Sequence, residues 1–274
     1  MLAGTIGERN VWKYVALNRA ADYVYSELTT SGYAPRRQTF DVSKMPVSNL
    51  EATLPGSVRA HEIVVVGAHY DTVPYCPGAN DNRTGVASVL ELARRFSQRP
   101  QSRTVRFVAF VNEEPPFFKT PQMGSLVYAN GARAGGDRVK GMLALETMGY
   151  YSDVEGSQSY PTGIGWLYPN VGNFIGFVAD VRSAALLVKA RRAFRRKTSF
   201  PLQSAALPAD LPGVGWSDHW AFWQAGYPAL MVTDTAPFRY PWYHTAEDTP
   251  DKIDYEKLGR VVDGIEAVIE SLAK

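Results

Sequence analysis

One cysteine, Cys76, stands in a chain of 274 residues, so no internal disulfide can form and thiol content assigns no compartment. No uninterrupted apolar run approaches the ~20 residues needed to cross a bilayer. The formal net charge is +2, too small to point to nucleic acid or an anionic membrane as the main partner. The opening residues, MLAGTIGERN, lack a basic segment followed by an apolar stretch, so no signal peptide is expected within them, and localisation stays unassigned. Internal repeats, low-complexity tracts and polar linkers are missing, as are a G-x-S-x-G nucleophile elbow and a P-loop. Ser217-Asp218-His219 has the residue types of a hydrolytic triad, but consecutive side chains cannot meet in that geometry. It reads as a helix start, with His219 supporting a site at most. The Asn82-Arg83-Thr84 sequon reads as chance, and the arginines at 191, 192, 195 and 196 as a solvated helix face.

What is present suffices for a sizeable core. Hydrophobic residues make up 45% and charged residues 20%, ordinary for a globular domain. Apolar spacing predicts helices over residues 11–28, 84–96, 123–132, 183–196 and 255–272. The apolar run at 62–68 predicts a strand buried on both faces, and residues 104–111 read as another buried strand. Shorter strands are expected at 40–42, 49–54, 142–145 and 228–233. The stretch 149–176, rich in Gly, Tyr, Pro and Asn, reads as long loops. Strands alternating with helices predict a largely parallel sheet with helices on both faces, in a single domain spanning 1–274.

Ligand sites of open α/β sheets form outside the carboxyl ends of the strands, and that is where the titratable residues fall. His69 ends one predicted strand, Glu113-Glu114 follow the next, and Glu146 ends a third. Asp81 lies in the loop entering a helix, and His244 in the loop ahead of the closing helix. Two histidines and several carboxylates on one rim suit a borderline cation such as zinc. Without a cation so many carboxylates would have to hold protons. Glu113 and Glu114 can do different jobs only if the chain turns there, since neighbours on a strand face opposite ways. Pro115-Pro116 is the expected cause of that turn.

Six stretches carry a family resemblance: GAHYDTV (67–73), PGANDNRTGVASVLELAR (77–94), FVAFVNEE (107–114), MGSLVYA (123–129), SDHWAFWQAGYPALMVTD (217–234) and YHTAEDTPDKIDYEKL (243–258). IGERN (6–10) adds a seventh. In this order they resemble the co-catalytic di-zinc aminopeptidases, metallopeptidases like bacterial leucyl aminopeptidase and related to glutaminyl cyclase and glutamate carboxypeptidase. The resemblance implies a three-layer αβα sandwich around a mixed, mostly parallel sheet of about eight strands, the zinc exopeptidase fold. It also implies two zinc ions bridged by Asp81. His69 and Glu146 would complete one zinc site, and Glu114 and His244 the other. Glu113 would be the general base acting on a water shared by the metals, and Asp71 would fix the tautomer of His69. A cis peptide is expected between Asp81 and Asn82.

The implied activity is zinc-dependent removal of N-terminal residues from a peptide substrate. Glutaminyl-peptide cyclotransfer with one zinc, carboxypeptidase or dipeptidase activity, and a non-catalytic binding domain are the alternatives. Three departures from the family pattern stand out. Glu146 occupies a position often held by Asp, and the segment 115–122 (PPFFKTPQ) is longer than usual. Val214 stands where some relatives carry an oxyanion-stabilising tyrosine, which leaves Tyr243 as a candidate donor. Oligomeric state and side-chain preference are not encoded in any motif.

Overall fold

The apolar run at 62–68 becomes the middle of the sheet. In the computed structural model, which describes residues 1–274, Ile63 and Val65 point into one core and Val64 and Val66 into another. Alternating burial on both faces requires a layer of helices on each side. The strands are β1 (Arg36–Val42), β2 (Met45–Leu54), β3 (Gly56–His69), β4 (Gln101–Phe110), β5 (Arg138–Glu146), β6 (Ile175–Asp180), β7 (Leu202–Leu207) and β8 (Ala229–Thr233). They form one eight-stranded sheet in the order β1-β2-β4-β3-β5-β8-β6-β7. Strands β3, β4, β5 and β8 run parallel, as do β6 and β7, while β1/β2, β2/β4 and β6/β8 pair antiparallel. The sheet is therefore mixed.

The helices are α1 (Tyr14–Thr30), α2 (Gly85–Phe96), α3 (Gly124–Ala134), α4 (Ala184–Lys197), α5 (His219–Gln224), α6 (Ala236–Arg239) and α7 (Tyr255–Ala273). α1, α2, α4 and α7 bury their apolar stripes in the larger core. α3 and α5 cover the opposite face through Tyr128, Ala129, Phe222 and Trp223. The result is the expected three-layer αβα sandwich. No helix is long and apolar enough to cross a membrane.

Two strands were not anticipated. β6 begins inside the stretch read as loop, and β7 is an edge strand with only Leu202 fully buried. Helix and strand ends otherwise shift by a few residues, as expected where local signals fray.

Register lines up the chemistry. His69 pairs with Phe110, and Glu146 with Thr233, so β3, β4, β5 and β8 end side by side. Two glycines let helices start against those ends: a Cβ at Gly85 would collide with the Leu145 carbonyl and Asn82 Oδ1, and one at Gly124 with the Val111 carbonyl.

Candidate metal centre and active site

Asp81 sits between two histidines, one for each carboxylate oxygen. Its Oδ1 is 3.2 Å from His69 Nε2, and its Oδ2 is 3.0 Å from His244 Nε2. Glu146 Oε2 completes the first group at 3.4 Å from His69 Nε2, and Glu114 Oε2 the second at 3.3 Å from His244 Nε2. Each group offers ligand atoms close enough to hold one metal ion. Glu113 Oε2 stands 3.8 Å from His69 Nε2, outside the two triplets that share Asp81, although with His69 and Glu114 it forms a third close group. The structure thus brings together His69, Asp81, Glu113, Glu114, Glu146 and His244, all but His244 buried.

Local backbone geometry explains the convergence. The Asp81–Asn82 peptide is cis. Asn112, Thr147 and His244 have φ of 58°, 47° and 59°, a region that non-glycine residues enter mainly at sharp turns and functional sites. Asn112 lies two residues past the end of β4, so the turn that separates the jobs of Glu113 and Glu114 precedes them. Pro115-Pro116, also joined by a cis peptide, comes after it. The backbone N–H groups of Glu113 and Glu114 donate to Asp71 Oδ1 and Oδ2 at 3.1 and 3.2 Å. Asp71 Oδ1 is 3.6 Å from His69 Nδ1, beyond hydrogen-bond length. In this geometry the bonds Asp71 makes are to the glutamate backbone.

The donor set fits a cation. His69 Nδ1 and Nε2, Asp81 Oδ1, Glu114 Oε1 and His244 Nε2 are buried with no hydrogen-bond partner, which is costly for polar atoms that have nothing else to bind. Protons fill in when only the protein is considered. Burial pushes the Glu113 carboxyl well above its usual range, and Glu146 and Glu114 push it further against the pull of His69. Burial and Asp81 lift Glu114 to about 7. Burial works to lower His244, but the adjoining carboxylates of Asp81 and Glu114 outweigh it and raise the imidazole to about 10. A divalent ion would replace those protons. Imidazole nitrogen and carboxylate oxygen are both acceptable to zinc.

Several residues support the cluster through bonds that the sequence did not specify. Ser217 donates to Glu146 Oε2 at 2.6 Å, and Asn82 Nδ2 to the same oxygen at 3.2 Å. Asn80 Nδ2 donates to Asp234 Oδ2 at 2.9 Å. Buried Arg9 donates to the carbonyls of Gly7, Tyr70, Pro77 and Gly78, tying the amino-terminal segment to the loop that precedes Asp81. His219 is turned away, its Nε2 2.7 Å from the Val214 carbonyl oxygen. Cys76 takes no part: its thiol is buried, with Sγ 4.0 Å from Asp248 Oδ2, and burial pushes it up to about 12.

Beside the cluster lies a mostly apolar cavity of about 110 Å³. Phe177, Val214, Trp216, Met231 and Phe238 line it, and Glu146 and Tyr243 line it as well. Tyr243 stacks on His244 with ring centroids 3.8 Å apart. Burial, followed by the charges of Asp81, Glu114, Glu146 and Glu113, raises the pKa of its phenol far above the usual value. The phenol therefore keeps its proton as a donor near the carboxylates.

Known proteins share this fold. The chain is 36% identical over 96% of its length to uncharacterized protein YfbL of Escherichia coli K12, spanning 83% of that protein. It is 30% identical to aminopeptidase YwaD of Bacillus subtilis strain 168, over 80% of this chain and 43% of that one. The solved structure of a zinc aminopeptidase from Bacillus subtilis matches with a TM-score of 0.64 at 26% identity, covering 83% of this chain and 50% of that chain. The chain thus spans about half the length of these two aminopeptidases. A glutaminyl cyclase from Fimbriiglobus ruber, at 21% identity and TM-score 0.70 over 98% of this chain and 91% of its own, shares the fold. Residues 49–269 match peptidase family M28, and the chain belongs to that family.

Proposed function

We propose that residues 1–274 form one catalytic domain, a zinc aminopeptidase that removes apolar N-terminal residues from peptides. The observation that carries this reading is the placement of Asp81 between His69 and His244, with one further carboxylate on each side and an apolar cavity adjoining. His69, Asp81 and Glu146 would hold one zinc, and Asp81, Glu114 and His244 a second. When bound, zinc supplies Lewis acidity that polarises a carbonyl and makes water a nucleophile near neutral pH.

The chain's own groups divide the remaining work. Glu113, free of both ligand sets, takes a proton from the attacking water and hands it to the leaving amine. Tyr243, still protonated, donates its O–H to the oxygen that gains charge as the carbonyl is attacked, the role Val214 cannot fill. The apolar cavity takes the first side chain, burying it away from water. The acidic cluster attracts a free α-ammonium, which restricts cleavage to the chain end.

Purified protein loaded with zinc, assayed on aminoacyl anilides, N-blocked peptides and peptides beginning with glutamine, tests the reading. Release of free apolar N-terminal residues, with none from N-blocked peptides, is the expected result. Cyclisation of N-terminal glutamine without residue release would overturn it.

A further inference from the structure

The segment 115–122 reaches the site but has no part in the chemistry above. It folds as consecutive turns: the Phe117 N–H donates to the Glu114 carbonyl at 3.0 Å, that of Thr120 to Phe117 at 2.9 Å, and that of Met123 to Thr120 at 3.0 Å. The Lys119 N–H points at Met123 Sδ, 3.4 Å away. Trp12 stacks on Phe117 with centroids 6.0 Å apart, bracing the outer side. Lys119 is therefore presented from a braced turn. Its Nζ lies 5.1 Å from the Phe118 ring centroid and 5.2 Å from that of Trp220, the second residue of α5. It makes no ion pair with any carboxylate of the chain, although the charge of Glu113 is near enough to act on it. Ser217, three residues before the Trp220 that Lys119 covers, holds Glu146, so the lysine packs on the segment that supports the metal centre.

This placement has a consequence for the leaving half of the substrate. The group that returns a proton to the leaving amine must touch it, so the second residue of the substrate sits against Glu113. In a dipeptide that residue ends in a carboxylate only two bonds from the leaving nitrogen. Around Glu113 the chain offers mainly carboxylates, none of which can pair with such an end. Lys119 has no acid of its own, its charge is felt at Glu113, and its four-carbon stem gives it reach.

We propose that Lys119 is a specificity residue that receives a carboxylate on the residue after the scissile bond, namely the α-carboxylate of a dipeptide. The proposal rests on the aminopeptidase reading. It adds a substrate class: short peptides with a free carboxyl end.

The test compares kcat and KM of the zinc-loaded enzyme on Leu-Gly, Leu-Gly-NH2 and Leu-Asp-NH2, in the natural chain and in Lys119→Gln and Lys119→Arg. The natural chain is expected to favour Leu-Gly over Leu-Gly-NH2 by about tenfold, through KM, the scale of one hydrogen bond to a charged group. Lys119→Gln should bring that ratio close to one, and Lys119→Arg should keep most of it. An unchanged ratio in Lys119→Gln would overturn the proposal, as would equal use of Leu-Gly and its amide by the natural chain. Preference for Leu-Asp-NH2 over Leu-Gly would assign the lysine to an acidic side chain and overturn the α-carboxylate. Hydrolysis of none of the three would overturn the aminopeptidase reading together with the proposal.

Discussion

Asp248 accepts the backbone N–H of Asp81 at 3.1 Å, through the oxygen that does not face Asn80. The other oxygen accepts the Asn80 N–H at 2.7 Å and the Tyr240 hydroxyl at 2.7 Å. The loop that carries His244 thereby grips the backbone beneath the carboxylate placed between the two histidines. Asp248→Asn keeps the shape, but its amide nitrogen cannot accept from an N–H. Zinc affinity, measured by competition with a chelator, should fall roughly 10- to 100-fold, the usual effect of losing a group that orients a ligand. Unaltered affinity would remove Asp248 from the metal centre's support.

Glu113→Gln separates metal binding from proton transfer. The variant should retain zinc as the natural chain does, because Glu113 lies outside the two triplets that share Asp81. Its kcat should drop by roughly 10²- to 10⁴-fold. Turnover near that of the natural chain would refute the base assignment.

Tyr243→Phe removes one hydroxyl and leaves the ring to stack on His244. The expected outcome is a fall of roughly 10²-fold in kcat with little movement of KM, as for loss of one oxyanion donor. A rise in KM alone would make the tyrosine a wall of the cavity.

His219 gives a pH signature in stability. Burial pushes its imidazole down to about 4 in the folded chain, with the bond to Val214 acting against the shift. In the unfolded chain it titrates near the ordinary value of about 6.5. Between those values the unfolded state binds more protons. The stability associated with neutral His219 is therefore complete above pH ~6.5 and is lost as pH falls toward ~4, by an amount on the order of 3 kcal/mol. His219→Gln should flatten that part of the profile relative to the natural chain when denaturation midpoints are compared from pH 4 to 7. Parallel profiles would show that His219 takes up its proton without cost.

Much of this arrangement was legible in the sequence because its physics is local. β3 and β4 lie between helices on both faces, β3 with the unbroken apolar run 63–66 and β4 with one broken only by Arg106. His69, Glu113, Glu114 and Glu146 are legible because strand ends are where such sheets bind ligands. β7 was missed because an edge strand with one neighbour needs little apolar surface, and residues 202–207 are mostly half exposed. β6 was hidden by the glycine- and proline-rich stretch that leads into it. The roles of Asp248, Ser217 and Arg9 depend on partners 167, 71 and 61 residues away, and no local pattern encodes such pairings. The turn before Glu113 was assigned to the prolines because a positive φ at an asparagine leaves no mark beyond the residue itself.

The number of zinc ions bound per chain tests the central claim most directly. Metal-free protein titrated with zinc and followed by calorimetry should bind two equivalents, and His244→Ala should bind one tightly, at His69, Asp81 and Glu146. Saturation of the natural chain at one equivalent would contradict the two-metal account.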